Sequence, residues 1–241
     1  MAIRGVLLDK DGTLIDCDRS WGAVIRRLAC ELAADRDADL LLDQAGLDLR
    51  TGRFRAGSVW GAGSTRDLVA LWWPEADERA AAGLAARIDA VCAEMGPRCA
   101  VPLYDLDRLF RDLAHRDLVA GVATNDSSAS LSAFLAARGL TGHLAHRYGY
   151  DSVKRAKPAP DMVLAFASDC ALAAAEIAVV GDNTHDLEMA RAGGAVAVAV
   201  LSGNGGRADL EPLADIILDG VGDLVAWLDN HQPAKVSKHV L

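Results

Sequence analysis

Two carboxylates two residues apart, Asp9 and Asp11, close an apolar run and open the segment Asp9-Lys10-Asp11-Gly12-Thr13-Leu14. In an extended chain alternate side chains project to the same side, so both carboxylates face one space. Gly12 then allows a sharp change of direction. A pair placed this way can divide the labour of phosphoryl transfer. One carboxylate attacks phosphorus and forms an aspartyl phosphate. The other protonates the leaving oxygen and then deprotonates water for the second step. Lys10, lying between them, is expected to point away from the nucleophile or toward the rim.

Three further segments follow in order, and with the first they carry a resemblance. Asp9-Lys10-Asp11-Gly12-Thr13-Leu14 resembles the first motif of the haloacid dehalogenase superfamily, in its phosphatase branch. Val122-Ala123-Thr124-Asn125 resembles the second, Lys157-Pro158-Ala159-Pro160 the third, and the segment from Val179 to Asp186 the fourth. The resemblance covers roughly residues 1–15 and 102–225. It implies that Asp9 is the nucleophile and Asp11 the acid/base. It also implies that the hydroxyl of Thr124 and nearby backbone N–H groups hold the transferring phosphoryl. Lys157 then neutralises phosphate and nucleophile, and Gly12 and Asn125 lie on the phosphate side of the site. Asn125 is expected to orient either the phosphate or a residue of the cap.

Carboxylates and phosphate oxygens suit a hard cation, and Mg²⁺ is the expected cofactor. Its expected ligands are Asp9, the backbone carbonyl of Asp11, and Asp182. Asp186, one helical turn after Asp182, is expected to hold a metal-bound water or to orient Lys157. Lys154 is the rival of Lys157, but the residue before a proline is held extended and can project inward, which favours Lys157. His185 sits beside the pocket and reads more readily as a solvated helix residue than as a substrate contact.

These groups need elements to position them. Ile3 to Leu8, Leu118 to Ala123, Ile177 to Val180, Ala195 to Val200 and Asp215 to Leu218 read as buried strands. Ser127 is expected to cap a helix running through Arg138, with Gly139 just beyond it, and Thr184 another through Ala192. Alternating strands and helices predict an α/β fold, a Rossmann-like parallel sheet with helices on both faces. Ligands in such sheets bind at the carboxyl ends of the strands. Residues 16–101 break the rhythm. Trp21 to Ala34, Arg66 to Trp73 and Asp77 to Met95 look helical, Gly52 to Gly63 reads as a loop, and no strand is expected. The predicted organisation is therefore a core domain of residues 1–15 and 102–230, an inserted α-helical cap domain of residues 16–101, and a loosely ordered tail of residues 231–241. By position this resembles the cap of phosphoglycolate phosphatase-like members.

The chain has 241 residues, 51% of them apolar, and a formal net charge of -9. That balance argues against nucleic acid and anionic membranes as partners. It leaves a small phosphorylated metabolite open, because a few placed cations, a metal and backbone N–H groups can make a positive pocket. No apolar run approaches a membrane span, and the residues before Asp9 are too short a run for a signal peptide. Five cysteines without CxxC spacing read as reduced thiols of a cytoplasmic protein. Nothing in the sequence specifies an oligomeric state.

Sister activities separate on single residues. Dehalogenases of the superfamily lack the second carboxylate of the first motif, so Asp11 argues against dehalogenation. Schiff-base chemistry of the phosphonoacetaldehyde hydrolase kind needs a cap lysine, and no lysine lies between Thr13 and Val153. A sugar-phosphate mutase is the nearest enzymatic alternative. A non-enzymatic binding protein that keeps the fold would be expected to lack Asp9, Asp11 or Asp182, and none is missing. By resemblance, phosphoglycolate is the leading substrate expectation. Arg53 and Arg55, flanking Phe54 in a Gly-rich loop, are expected to bind a second anionic group as a fork would.

Overall fold

A computed structural model describes residues 2–231. The tail expected at 231–241 falls almost wholly outside the described residues.

The apolar runs form a six-stranded, all-parallel sheet. The strands are β1 (Gly5–Leu8), β2 (Val119–Ala123), β3 (His146–Tyr148), β4 (Ile177–Gly181), β5 (Val196–Val200) and β6 (Ile216–Leu218), in the order β3-β2-β1-β4-β5-β6. Five of them were expected. β3 is an edge strand, only three residues long, and His146-Arg147-Tyr148 has none of the apolar continuity of a central strand.

β1 is buried along its whole length and its side chains divide between two cores. Val6 and Leu8 pack with residues of α6 (Leu106–Ala114), α7 (Ser128–Ala137) and α11 (Leu224–His231). Leu7 faces the opposite layer, with residues of α8 (Asp161–Asp169) and α9 (Thr184–Gly193) and with Leu210 of the short α10 (Arg207–Leu210). Both faces are covered, which is what an all-parallel sheet requires.

The insertion has a third apolar cluster of its own, running from Cys17 to Cys92. It is built from α1 (Cys17–Leu32), α2 (Ala38–Ala45), α3 (Val59–Ala62), α4 (Thr65–Trp72) and α5 (Glu78–Cys99). Its ends meet, the Asp16 N–H donating to the Val101 carbonyl at 2.8 Å. The stretch expected as a plain loop holds α3, and Leu47 bridges Phe54 as an isolated β pair. α2 was not expected, since eight residues with few periodic apolar positions give little signal.

Most caps follow local chemistry. Ser127 accepts from the Ser130 N–H and starts α7, and Asp77 accepts from the Ala80 N–H and starts α5. The cap of α9 is corrected by one residue. Asn183, not Thr184, is extended and accepts from the His185 N–H, while Asp186 receives the Asn183 N–H in return.

Candidate active site

The sheet reverses its winding at β1, since β2 lies on one side of it and β4 on the other. A crevice at such a switch point is where doubly wound sheets bind ligands. Register brings the strand ends level, with Leu8 beside Val122 and Val180. Asp9, Thr124 and Asp182 therefore leave the sheet together, and the Asp9 N–H still donates to the Val180 carbonyl at 2.8 Å.

Asp9, Asp182 and Asp186 are buried and each offers an oxygen within 4.8 Å of the others. Lys157 Nζ lies among them, paired with Asp9 and, at 2.6 Å, with Asp186. Three carboxylates against one ammonium leave two negative charges uncompensated. Burial pushes the Asp9 carboxyl up to about 7, opposed by the Lys157 charge and reinforced by Asp186 and Asp11. Asp182 is held well above the ordinary carboxylate range, by burial first and then by Asp9 and Asp186. Burial alone would lower Lys157, but the charges of Asp186 and Asp9 outweigh it and keep the ammonium protonated. Buried, acidic and made of hard oxygen donors, this cluster fits a divalent cation. Asp182 is aimed by Asn204, whose N–H donates at 3.1 Å, and by the Thr13 hydroxyl at 3.4 Å.

Two glycines make room for that carboxylate. Gly12 has φ +84°, and a Cβ there would sit 2.3 Å from Asp182 Oδ2. A Cβ at Gly203 would approach the same oxygen to 1.8 Å. The expected turn at Gly12 is thus also a packing requirement of the acidic cluster.

Asp11 stands apart from the cluster. Its carboxylate receives Lys10 Nζ at 2.8 Å and the indole N–H of Trp21, a residue of α1. Of the two places expected for Lys10, away from the nucleophile or toward the rim, the rim is corrected: its ammonium is buried on Asp11 and Asp126, not on Asp9. Lys10 is 1% exposed, pairs also with Asp126 at 3.1 Å, and lies 4.5 Å from the Trp21 ring centroid. The charges of Asp11 and Asp126 raise it in spite of burial. Asp126 directly follows Asn125 in the sequence, and nothing in its spacing marks it as the partner of Lys10.

Thr124 is buried and lines the cleft. Asn125 does more than line it. Its Oδ1 accepts from the Lys157 N–H at 3.0 Å, and its Nδ2 donates to the Lys157 carbonyl at 3.1 Å and to the Ala62 carbonyl at 2.8 Å. His185 is corrected from a solvated helix position: it lines the cleft, with Nδ1 3.2 Å from the same Ala62 carbonyl. Lys157 is buried at the cluster, whereas Lys154 is exposed.

The anion fork expected at Arg53 and Arg55 is not formed. Arg53 pairs with Asp18 at 3.1 Å and Arg55 with Asp43 at 2.9 Å, and neither lines the cleft. Carboxylates of the insertion itself already occupy both guanidinium groups. The insertion's contribution to the cleft is instead Trp21, the segment from Val59 to Thr65, Leu68, Ile88 and Cys92. Helical periodicity marks Leu68, Ile88 and Cys92 only as core, so no sequence signal set them apart.

Fold and site together define a class: a doubly wound α/β protein with a buried carboxylate–lysine cluster at its switch point and a helical insertion over it. The family model for haloacid dehalogenase-like hydrolases matches residues 3–194, and the chain belongs to that family. The phosphoglycolate phosphatase of Escherichia coli K12 is 27% identical over 239 residues, covering 94% of this chain and 92% of the relative. A probable phosphatase, IndB of Dickeya dadantii, is 43% identical over 82 residues, a match spanning 34% of this chain and 36% of the relative's length. A crystal structure of a hydrolase from Pseudomonas syringae superposes with a TM-score of 0.72 at 21% identity, covering 96% of this chain and all of that one. Among the described residues no helix is long and apolar enough to cross a membrane.

Proposed function

We propose that this phosphatase hydrolyses small phosphate monoesters through an aspartyl phosphate on Asp9, with Mg²⁺ as cofactor. The observation that carries the reading is the cluster of Asp9, Asp182 and Asp186 around Lys157 at the switch point. The chain's motifs occur in the family's order, and its relatives include named phosphatases.

Asp9, Asp182 and Asp186 would hold the metal, with the Asp11 carbonyl completing the expected set. When bound, the ion offsets the negative charge of carboxylates and phosphate so that one can approach the other. An Asp9 oxygen attacks phosphorus as the bond to the ester oxygen breaks. Asp11 gives that oxygen its proton, releasing a neutral alcohol. Lys157, fixed by Asp186, stabilises charge on the phosphoryl group, and the Thr124 hydroxyl orients it. Asp11, now a carboxylate, takes a proton from water as the water attacks phosphorus, and Asp9 is regenerated with release of phosphate. Residues 16–101 act as the cap that covers this chemistry, within a protein of the cytoplasm. Phosphoglycolate, the expectation by resemblance, is the substrate in the name of relatives 27% identical over nearly the whole chain. Its carboxylate finds no counterpart at Arg53 or Arg55.

The test is phosphate release from a panel of monoesters, with and without Mg²⁺, followed by acid quench and mapping of the phosphorylated residue. Release should vanish in chelator and return with Mg²⁺, and the label should lie on Asp9. Asp9→Asn should lower turnover by about three orders of magnitude or more while circular dichroism stays unchanged. Near-normal turnover by a folded Asp9→Asn protein, or full turnover in verified absence of metal, would sink the mechanism.

A further inference from the structure

The cleft above Asp9 has two unlike halves. Its floor, at the strand ends, carries Asp9, Thr124, Lys157, Asp182 and Asp186. Its roof is mostly apolar, made by Trp21, Val59, Trp60, Leu68, Ile88 and Cys92, while Ser64 and Thr65 beside them donate their hydroxyls to Asp67 and Asp89. Trp21 meets Trp60 edge to face with centroids 5.9 Å apart, and Phe54 stacks behind Trp60 at 6.1 Å. Leu68, Ile88 and Cys92 belong to the insertion's own core, so this wall is fixed by packing.

Charge in the cleft is as uneven as polarity. Among the described residues that line it, Lys157 is the only lysine or arginine, and Asp9 and Asp186 already hold it. Asp11 and Asp126 line the cleft too, and the single ammonium of Lys10 answers both. Three arginines of the insertion are turned to other partners: Arg53 to Asp18, Arg55 to Asp43 and Arg66 to the Tyr150 ring. His185 directs Nδ1 to the Ala62 carbonyl.

A phosphate on the floor places the alcohol half of its ester against the roof. A carboxylate there would lose water without gaining a cation, and would face Asp11 and Asp126. An apolar or aryl group there would gain by displacing water from the half-buried Val59 and Trp60 and by packing beside Trp21. We infer that the enzyme selects monoesters of uncharged alcohols with an apolar or aryl portion and discriminates against esters, phosphoglycolate included, whose alcohol half bears its own carboxylate. The inference rests on the phosphatase reading and refines its substrate class.

Three esters of primary alcohols separate the possibilities: benzyl phosphate, 2-hydroxyethyl phosphate and phosphoglycolate. The last two are close in size and differ in the charge of the alcohol half. In Mg²⁺, kcat/KM for 2-hydroxyethyl phosphate should exceed that for phosphoglycolate by about tenfold or more, with benzyl phosphate higher still. Trp60→Ala should lower kcat/KM for benzyl phosphate by a larger factor than for the 2-hydroxyethyl ester. Val59→Arg, at a half-buried cleft position, should narrow the gap between the 2-hydroxyethyl ester and phosphoglycolate. Equal or higher kcat/KM for phosphoglycolate in the unaltered enzyme would overturn the inference and leave the phosphatase reading intact. Failure of all three esters and of nitrophenyl phosphate to release phosphate would overturn the phosphatase reading instead. Calorimetric affinities of the same three esters in Mg²⁺ would then decide the preference of the roof: tighter benzyl phosphate supports it, and tighter phosphoglycolate overturns it.

Discussion

Asp9 and Asp11 sit two residues apart, yet their surroundings differ as their proposed roles do. Asp9 is buried against Lys157 and two carboxylates, whereas Asp11 is held by Lys10 and by the Trp21 indole from the insertion. Replacing them should therefore produce different defects. In Asp11→Asn, nitrophenyl phosphate should still phosphorylate Asp9, because nitrophenolate leaves without a proton. Hydrolysis of the aspartyl phosphate, which needs a base, should become limiting. A stopped-flow trace should show a burst of nitrophenol near one equivalent per site and then a slow phase, with no comparable burst of alcohol from an alkyl ester. A metal-loaded variant with neither burst nor trapped phosphoenzyme would remove Asp11 from the acid/base role. Trp21→Phe is the milder test, since it keeps apolar volume and deletes one donor. It should lower kcat for alkyl phosphates by about tenfold, the value of a hydrogen bond to a charged group, and nitrophenyl phosphate less. Equal loss on both esters would place Trp21 in packing alone.

At the scale of elements, Asn125 joins three segments: the end of β2, the loop carrying Lys157, and the insertion at Ala62. Asn125→Ala leaves the Lys157 N–H and carbonyl and the Ala62 carbonyl short of a partner. Stability should fall by about 1–3 kcal/mol in denaturant titration. Because Lys157 would lose its anchor, kcat should fall as well as KM rise. A variant with reduced stability and unchanged kcat would show that Lys157 is fixed by Asp9 and Asp186 alone. The sequence made much of this legible. Five strands announce themselves as buried apolar runs, Asp9 and Asp182 follow strand ends, and Lys157 precedes a proline, all features whose geometry is local. What stayed hidden depends on distant partners. β3 is too short and polar to show a period, Lys10 is buried only because Asp126 and Trp21 meet it there, and Arg53 and Arg55 are claimed by Asp18 and Asp43 from other parts of the insertion. Spacing along a chain carries no record of such pairings. Ile88 and Cys92 show the same limit, because periodicity marks a helix face as apolar without telling a core from a cleft wall.

Across the whole molecule, two bodies with separate apolar cores enclose an uncompensated negative charge. Tyr150, from the core, donates to Asp89 of α5 at 2.7 Å and ties the insertion down beside the cleft, while Thr65 of α4 donates to the same carboxylate at 2.6 Å. The cluster beneath the insertion has a thermodynamic consequence that reaches the entire fold. Asp9 is raised to about 7 and Asp182 is raised well above its ordinary value, while in the unfolded chain both lose their protons near pH 4. Between those limits the folded metal-free protein holds protons that the unfolded chain has released. Stability must then fall as pH rises through this window. The carboxylates with lowered values, Asp48, Asp161, Glu176 and Asp229, act in the opposite sense but only at lower pH, where the unfolded chain takes up protons. The metal-free protein should accordingly melt at least roughly 5 K lower at pH 8 than at pH 5.5. Mg²⁺ replaces those protons and binds only the folded cluster, so its stabilisation should be larger at pH 8 than at pH 5.5. Asp182→Asn removes one buried charge and one ligand together. It should flatten the metal-free decline and abolish most of the Mg²⁺ shift at pH 8, both read by calorimetry. A metal-free Tm that rises between pH 5.5 and 8, or an Mg²⁺ shift indifferent to pH, would mean that the cluster neither stores protons nor exchanges them for a metal.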